Sequence, residues 1–304
     1  MQTERARPRI LLTGKDGQVG FALLPLLSEL GTVIAVGRAE CDLADPDAVR
    51  ALVARAAPDI IVNPAAYTAV DRAEAEPELA HAVNAVAPRV FAEEAARRDA
   101  LLVHYSTDYV FAGDASGPQA EDTPVGPKSV YGQSKLAGEE AIRRAGCRHV
   151  ILRTSWVFGA HGGNFLKTIL RLAQERDSLR IVADQTGAPT SAALIAAVTA
   201  EILRQYAVAA EPAALSGTYH LAAAGATTWH AYAQHVVLEA ANRGMRFKLA
   251  AHDIAPIATA DYPLPATRPA NSLLDTRRLE ARFGVVLPAW QDGVSDVLDR
   301  ISTA

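Results

Sequence analysis

The feature that most constrains the fold is a glycine-rich turn between a short apolar run and a helical segment. The run from Ile10 to Thr13 is too short for a helix and predicts a buried strand, and a helix is predicted from Gln18 to Leu30. Gly14, Gly17 and Gly20 mark the junction. Such a turn holds a pyrophosphate on backbone N–H groups at the positive end of the helix, and side chains would keep the phosphates away. The start of the chain therefore predicts a dinucleotide-binding unit.

Short apolar runs continue to alternate with helical segments. Further strands are predicted over Thr32–Val36, Asp59–Asn63, Leu101–Ser106, His149–Arg153 and Gly217–Leu221. Helices are predicted from about Pro46 to Ala57, from Glu78 to Arg98 and from Ala192 to Tyr206. This alternation specifies a doubly wound parallel α/β sheet of Rossmann type.

The pattern loosens after Trp156. Helices are predicted over about Asn164–Arg176, Thr228–Arg243 and Trp290–Ile301, with a short strand over Leu179–Val182 and a proline-rich stretch from Ala255 to Pro269. We predict a dinucleotide-binding domain of residues 1–157 and 188–224, and a smaller C-terminal substrate-binding lobe of residues 158–187 and 225–304.

Composition excludes several classes of protein. The 304 residues are 50% hydrophobic, enough for a sizeable core, and a net charge of −4 leaves no basic surplus, so neither nucleic acid nor membrane is an expected partner. No apolar segment approaches the ~20 residues of a membrane span, and the polar stretch from Met1 to Arg9 lacks the pattern of a secretory signal. Cys41 and Cys147 have no metal-ligand spacing and predict thiols of a reducing, cytoplasmic setting.

A tyrosine and a lysine stand one helical turn apart in the segment that begins at Val130. Tyr131 and Lys135 therefore share a helix face. A phenol has a reference pKa near ~10, and a nearby ammonium lowers that pKa by stabilising the phenolate. The pair is suited to proton exchange with a carbonyl or alcohol oxygen. The spacing alone is equally typical of an amphipathic helix with a solvated lysine.

The end of the second predicted strand selects the cofactor. Arg38 stands where an acidic residue would bind a free ribose 2′-hydroxyl and where an arginine accommodates a 2′-phosphate. This favours NADPH, with NADH possible, and a solvated arginine is the alternative. The predicted cofactor-binding residues extend from the glycine turn to the Tyr–Lys helix: Gly14, Gly17, Gln18, Val19, Arg38, Asp42, Leu43, Ala65, Ala66, Tyr67, Thr68, Tyr105, Tyr131 and Lys135.

Polar side chains lie at the mouth of the fourth predicted strand, where open parallel sheets bind ligands. They are Thr107 and Asp108. His104, inside the strand, is expected to pack within the sheet rather than to act in catalysis. The loop from Gly113 to Lys128, rich in glycine, proline and acidic residues, is expected to be a flexible substrate lid.

Several ordered stretches resemble one enzyme family. The glycine turn, Asn63–Ala66, Ser106–Asp108 and the Tyr131/Lys135 pair are similar to the extended short-chain dehydrogenase/reductases. More specific stretches narrow the resemblance, over nearly the whole chain, to the dTDP-4-dehydrorhamnose reductases: His104–Phe111, Arg153–Val157, Asp184–Thr190 and Arg268–Ser272.

The resemblance implies an activity and assigns roles. NAD(P)H would reduce the C4 ketone of dTDP-4-dehydro-β-L-rhamnose to the alcohol, the last step of dTDP-L-rhamnose synthesis. Tyr131 would give the proton, and Lys135 would hold the nicotinamide ribose and lower the tyrosine pKa. Thr107, with Ser106 as the alternative, would hydrogen-bond the ketone or the tyrosine.

Two further positions match the substrate-contacting residues of the family. They are Asp108 and Trp156, the latter as a flat wall against the sugar or, alternatively, as a core residue. Some relatives dimerise through Mg²⁺ held by glutamates, and the corresponding stretches here, Ser191–Ala193 and Trp290–Asp292, lack glutamate. We therefore predict no metal site and a monomer or a metal-independent homodimer, with a role for Mg²⁺ left open.

Two other functions fit parts of the same pattern. A nucleotide-sugar 4-epimerase or dehydratase shares the fold but keeps its cofactor bound, and a dehydratase would need a glutamate where Tyr109 stands. A non-catalytic, NADP-binding regulatory subunit also shares the fold, although the intact Tyr131/Lys135 pair argues against it.

Overall fold

The structure, a computed structural model, describes residues 7–302; residues 1–6 of the polar N-terminal stretch and residues 303–304 lie outside the described part. The strands are β1 (Arg9–Leu12), β2 (Thr32–Ala35), β3 (Ile60–Asn63), β4 (Leu101–Thr107), β5 (Arg148–Thr154), β6 (Val157–Phe158), β7 (Leu179–Val182), β8 (Thr186–Gly187), β9 (Thr190–Ser191), β10 (Gly217–His220), β11 (Thr227–Thr228) and β12 (Ile254–Ile257). The α-helices are α1 (Gln18–Leu30), α2 (Pro46–Ala56), α3 (Val70–Ala73), α4 (Pro77–His81), α5 (Ala87–Arg98), α6 (Val130–Ala145), α7 (Phe165–Glu175), α8 (Ala192–Val208), α9 (Trp229–Asn242), α10 (Arg277–Phe283) and α11 (Trp290–Ser302).

A six-stranded parallel sheet organises the chain in the order β10-β5-β4-β3-β1-β2. The doubly wound parallel α/β fold is thus confirmed, including the return of the strand at Gly217–His220 to the sheet. The chain winds outward in opposite directions from β1 and β3, and a ligand crevice forms at the carboxyl ends of strands at such a switch point.

Both faces of the sheet are covered by helices, as its apolar strands require. Ile10 and Leu12 pack with Leu27 of α1 on one face, whereas Leu11 between them packs with Phe91 of α5 on the other. Alternate residues of a strand point to opposite faces, so three consecutive apolar residues serve two cores. Among residues 7–302, no helix is both long and apolar enough to cross a membrane.

A third core lies outside the sheet. It joins α7, α9 and α11 through buried side chains that include Leu166, Tyr232 and Trp290. α10 is different, because its Leu279 and Phe283 belong to the core beneath the sheet, beside α8 and β10. The packing thus puts α10 with the sheet, although the predicted lobe of residues 158–187 and 225–304 includes it.

The helix predicted from Glu78 to Arg98 is interrupted. Residues Ala82–Val86 form a π-helical turn between α4 and α5. The turn presents Asn84, whose side chain accepts from Tyr67 N at 2.8 Å and donates to Tyr67 O at 3.0 Å and to Ser134 Oγ at 3.0 Å. The widened turn therefore ties the loop after β3 to α6, and π-turns are frequent at functional sites for this reason.

Candidate active site

One cleft of about 940 Å³ opens at the carboxyl ends of β1, β3 and β4, beside α6. The residues predicted for cofactor, substrate and proton transfer all line it: Gly14, Gly17, Gln18, Val19, Arg38, Asp42, Leu43, Ala65, Ala66, Tyr67, Thr68, Tyr105, Thr107, Asp108, Tyr131, Lys135 and Trp156. The fold therefore gathers these distant parts of the chain around a single crevice.

The glycine turn is shaped for a ligand that approaches the backbone closely. Gly14 has φ +58°, and a Cβ there would lie 3.0 Å from the Cα of Ala65. A Cβ at Gly20 would lie 2.0 Å from the Gly14 carbonyl oxygen, so α1 packs directly on the turn. α1 begins at Gln18, and its first backbone N–H groups have no partner within the helix. This geometry fits the diphosphate of a dinucleotide.

The end of β2 presents the candidate phosphate-binding arginine. Arg38 is exposed and lines the cleft. Two residues on, Glu40 accepts from Gly37 N at 2.7 Å and pairs with Lys15 Nζ at 2.5 Å. The hydrogen bond from Lys15 lowers the pKa of Glu40. Because both carboxylate oxygens of Glu40 already accept hydrogen bonds, Glu40 is not free to bind a ribose hydroxyl.

α6 is seated unusually close to its neighbours. Ser129 caps it by accepting from Gly132 N at 3.1 Å. A Cβ at Gly132 would lie 2.3 Å from Tyr109 O, and one at Gly138 would lie 2.2 Å from Asn84 O. Only glycine permits both approaches, so these positions set the depth at which α6 sits against the cleft.

A buried ion pair fixes the far side of α6. Glu139 receives two hydrogen bonds from Arg153, at 2.8 and 2.7 Å, and both side chains are at most 3% exposed. Burial raises the pKa of Glu139, but the bonds and charge of Arg153 outweigh burial and leave it below its ordinary value. Ser106 Oγ also donates to Glu139, at 2.5 Å. The Ser106 hydroxyl is therefore used by Glu139 and not by the cleft. This favours Thr107 over Ser106 as the hydroxyl that bonds the ketone or the tyrosine.

The pKa of Tyr131 differs from the value that the sequence predicted. Burial raises its pKa to about 12; the hydrogen bond with Thr107 lowers it and the nearby charge of Asp108 raises it. The predicted lowering of this pKa by Lys135 is not seen, since the lysine ammonium donates to Tyr105 O and faces His104 Nε2. Tyr131 is thus a firmly protonated phenol beside the Thr107 hydroxyl.

Lys135 lies deep beneath the cleft floor. It is 2% exposed, and its Nζ is 2.6 Å from Tyr105 O and 3.1 Å from His104 Nε2. Burial lowers the pKa of Lys135 to about 8, against the opposing charge of Glu139. His104 is buried within the sheet as predicted, yet it is also a direct partner of the lysine, which sequence reasoning missed.

Asp108 is a carboxylate in a sheltered site. It is 2% exposed, and Thr107 Oγ1 lies 3.1 Å from its Oδ1, whereas its Oδ2 has no hydrogen-bond partner among residues 7–302. Burial raises the pKa of Asp108 to about 6, although bonds from Ser272 and Thr107 oppose that rise. The group can therefore change protonation near neutral pH.

An aromatic wall closes the other side of the cleft. Trp156 has φ +48° and stacks on Trp229, with ring centroids 3.6 Å apart and planes 15° from parallel. Phe165 packs against Trp229 at 4.6 Å, and a Cβ at Gly187 would lie 2.5 Å from the Trp156 ring. Of these, sequence reasoning identified only Trp156, because Trp229 and Phe165 carry no local motif.

The predicted lid does not line the cleft. Of the lining residues that the structure describes, none comes from residues 113–128. The loop is instead held by the C-terminal segment: Gln119 N donates to Leu273 O at 2.9 Å, and Asn271 N donates to Gly113 O at 2.9 Å. Backbone pairing at Gly113 and Gln119 therefore holds the first half of this loop against residues 271–273.

Among residues 7–302, no group of three or more His, Cys, Asp or Glu side chains could hold a metal ion. Cys41 and Cys147 are buried and free.

A dinucleotide turn at the β1/β3 switch point, together with a tyrosine and a lysine one turn apart at the cleft, defines the extended short-chain dehydrogenase/reductases as the class. Within that class, a family model described as the RmlD substrate binding domain matches residues 8–303. The chain belongs to this family, the NAD(P)H-dependent dTDP-4-dehydrorhamnose reductases.

Particular relatives support this membership. A dTDP-4-dehydrorhamnose reductase of Burkholderia thailandensis is 47% identical over 287 residues, covering 94% of this chain and 96% of that protein. One from Shigella flexneri is 45% identical over 298 residues, covering 97% and 98%. A crystal structure of the Bacillus anthracis enzyme in complex with NADP superposes with a TM-score of 0.87 at 31% identity, covering 97% and 99%.

Proposed function

We propose that this chain reduces the C4 ketone of dTDP-4-dehydro-β-L-rhamnose to dTDP-β-L-rhamnose with NADPH. The observation that carries the proposal is the convergence of Tyr131, Thr107 and Lys135 on a cleft between a dinucleotide turn and an aromatic wall. The names of the relatives supply the substrate class, and the relative that binds NADP supplies the cofactor class.

The cofactor half would bind NADPH through backbone and cation contacts. Gly14, Gly17 and Gln18 would hold the diphosphate, and Arg38 would hold the 2′-phosphate. Asp42 and Leu43 would lie beside the adenine. The engagement of Glu40 by Lys15 favours the phosphorylated cofactor, with NADH as the weaker ligand. When bound, NADPH supplies the hydride.

Tyr131 would give its proton to the substrate oxygen as negative charge develops there. A phenol with a pKa of about 12 keeps its proton until an alkoxide, a much stronger base, forms next to it. Lys135 would use its remaining N–H donor to stabilise the phenolate that forms, which lowers the pKa of Tyr131 during the reaction. The Thr107 hydroxyl bonds the ketone and fixes its distance from the phenol.

Asp108 and Trp156 would contact the sugar. The Trp156 ring offers a flat apolar face, and the Asp108 carboxyl offers a hydrogen-bond acceptor at the end of β4. We propose the division predicted above, residues 1–157 and 188–224 against 158–187 and 225–304, as one between a domain that binds the cofactor and also supplies Asp108 and Trp156, and a lobe that completes the sugar site with Phe165 and Trp229. We propose that the reaction takes place in the cytoplasm, a reducing setting that suits the free thiols of Cys41 and Cys147.

The assay follows NADPH oxidation with the dTDP-4-keto sugar, run against its UDP and GDP analogues. We expect turnover with the dTDP sugar and slower turnover with the analogues. Absence of turnover with all three sugars in protein that binds NADPH would overturn the proposal. Stoichiometric NAD retained through purification would favour the epimerase or dehydratase, and NADPH binding without any turnover would favour a regulatory subunit.

We further propose a monomer or a metal-independent homodimer. The positions that correspond to metal-binding glutamates in some relatives read Ser191–Ala193 and Trp290–Asp292. Light scattering with and without a chelator tests this, and we expect the same mass in both. A dimer that dissociates in the chelator would contradict it.

A further inference from the structure

We propose that His104 is a positioning residue for Lys135, acting as a neutral imidazole that carries its proton on Nδ1 and accepts from the lysine at Nε2. The inference rests on the proposed function, since Lys135 matters only if Tyr131 transfers a proton. It concerns a side chain that touches neither substrate nor cofactor in that scheme.

His104 is the third member of a buried chain of hydrogen bonds. Thr13 Oγ1 lies 2.6 Å from Asn63 Oδ1, Asn63 Nδ2 lies 3.1 Å from His104 Nδ1, and His104 Nε2 lies 3.1 Å from Lys135 Nζ. All four side chains are at most 2% exposed. The chain begins beside the glycine turn and ends under Tyr131, so it crosses the sheet beneath the whole cleft.

The number of donors on the lysine gives His104 its role. An ammonium has three N–H donors and no acceptor. Tyr105 O takes one donor at 2.6 Å and His104 Nε2 takes a second at 3.1 Å. Both acceptors belong to β4, which fixes the ammonium against the strand and leaves one N–H for the cleft above. Removing the imidazole acceptor would free Lys135 to turn about the Tyr105 contact.

The charge on the lysine then sets the tautomer of the histidine. Nε2 can accept from an ammonium only if it carries no proton, so the neutral ring is protonated on Nδ1. Nδ1–H needs an acceptor, and a half-turn of the Asn63 amide, which exchanges its oxygen and nitrogen in place, supplies one. The amide nitrogen then donates to Thr13 Oγ1. Asn63, His104 and Lys135 each keep their partners in this arrangement, and the Thr13 hydroxyl accepts from the amide nitrogen instead of donating to the amide oxygen.

The surroundings keep His104 neutral. Burial first, and then the charge of Lys135, lower its pKa well below the ordinary value. The other ionisable groups near the lysine are Glu139 and Tyr131 on α6, whereas Tyr105 meets the lysine only through its backbone carbonyl. Tyr105 is occupied, since its hydroxyl lies 2.8 Å from Thr199 Oγ1. A second cation at His104 would repel Lys135, so the ring works as an acceptor and not as an acid.

Nitrogen NMR of the uniformly labelled protein tests the tautomer directly. The resonances of His104 are assigned by their loss in His104→Gln. We expect a protonated Nδ1 and an unprotonated Nε2 at neutral pH. A ring protonated on Nε2, or on both nitrogens, would overturn the inference, and this measurement needs neither substrate nor turnover.

Kinetics of two variants test the consequence. His104→Leu removes the acceptor, and His104→Gln keeps an oxygen that can accept from Lys135. We expect kcat to fall about 10- to 100-fold in His104→Leu, as a displacement near 1 Å produces, with KM for the keto sugar little changed. His104→Gln should recover most of that loss. Equal kcat in wild type and His104→Leu, or equal loss in both variants, would contradict the proposal.

His220→Leu is the matched control. His220 is also fully buried, lies in β10, and has no hydrogen-bond partner for either ring nitrogen among residues 7–302. His220 lies outside the cleft, so we expect His220→Leu to leave kcat unchanged even if the melting temperature of the variant falls. A loss of kcat in His220→Leu that matches the loss in His104→Leu would overturn the inference. A wild type inactive on every keto sugar would refute the proposed function, whereas an active wild type with an unaffected His104→Leu would refute only the role of His104.

Discussion

The two walls of the cleft are built from different material. The cofactor wall is backbone: Gly14 and Gly20 let a turn and a helix meet so closely that a single added carbon would collide. The facing wall is side chain, with Trp156 stacked on Trp229 from a distant helix. A wall made of backbone requires glycines at nearby positions in the sequence. A wall made of aromatic rings instead requires the fold to bring residues from distant parts of the chain together. The cofactor wall should therefore tolerate few substitutions at its glycines, whereas the aromatic wall should tolerate replacement of one ring by another.

The largest expected effect lies where the walls meet. Tyr131→Phe should lower kcat about 10³-fold, the range for loss of a proton donor, because Tyr131 is the group that protonates the forming alkoxide in the proposed scheme. The dissociation constant for NADPH should be unchanged, measured by quenching of intrinsic fluorescence. Tyr219→Phe is the control, since its hydroxyl bonds Leu215 O away from the cleft. Full turnover in Tyr131→Phe would refute the assignment of the donor.

A pair of glycine substitutions compares the walls directly. Gly20→Ala should weaken NADPH binding about 10- to 100-fold and lower the melting temperature, because its Cβ meets backbone that cannot move away. Gly187→Ala displaces the Trp156 ring and should instead raise KM for the keto sugar about tenfold.

Gly117→Ala is the reference for both, since nothing lies within 4 Å of its added carbon and Gly117 does not line the cleft. Titration of NADPH and steady-state kinetics separate the two effects. If Gly20→Ala and Gly187→Ala damaged the same parameter, the two walls would not be independent.

Asp108 sharpens the comparison through pH. Its pKa is raised from 3.8 to about 6, so between those values the folded protein holds more protons than the unfolded chain. Stability therefore falls as pH rises through that window, and the penalty is complete above it. Asp108→Asn removes this dependence of stability on pH. The unfolding free energy of the variant minus that of wild type should therefore be about 2 kcal/mol larger at pH 7 than at pH 4. Urea unfolding at both pH values measures this, and equal differences would refute the raised pKa.

The smallest expected effect concerns the rim of the cofactor wall. Arg38→Ala should lower the affinity for NADPH about tenfold and leave that for NADH nearly unchanged, because only the phosphorylated ribose meets the guanidinium. Arg144→Ala, an exposed arginine paired with Glu140 on the outer side of α6, controls for net charge. An equal loss for both cofactors would exclude a phosphate contact.

Much of the cofactor half was predictable because its signals are local. The strand before Gly14, the strand ending at Asn63 and the helix carrying Tyr131 each follow from a few neighbouring residues. Periodicity also predicted that His104 is buried. Periodicity could not reveal that the buried ring faces a lysine, because that contact depends on the depth at which α6 sits, and two glycines set that depth.

The errors have physical reasons of the same kind. Tyr131 was expected to have a lowered pKa because one helical turn brings Lys135 near it. Burial instead raises the pKa of Tyr131, and the carbonyl of Tyr105 accepts a hydrogen bond from the Lys135 ammonium. The loop from Gly113 to Lys128 was expected to cover the cleft because of its composition, but none of its residues lines the cleft and its backbone partners lie far along the chain. Trp229 could not be identified at all, since a stacked ring has no sequence spacing.

The segment around residues 268–272 ties the site to distant parts of the chain. Arg268 Nη2 lies 2.7 Å from Asp71 Oδ2, and Asn271 N donates to Gly113 O at 2.9 Å. Contacts between residues so far apart in sequence raise the contact order, and a high contact order slows folding. We therefore expect the site to reach its final geometry late in refolding, after the local strand and helix units have formed.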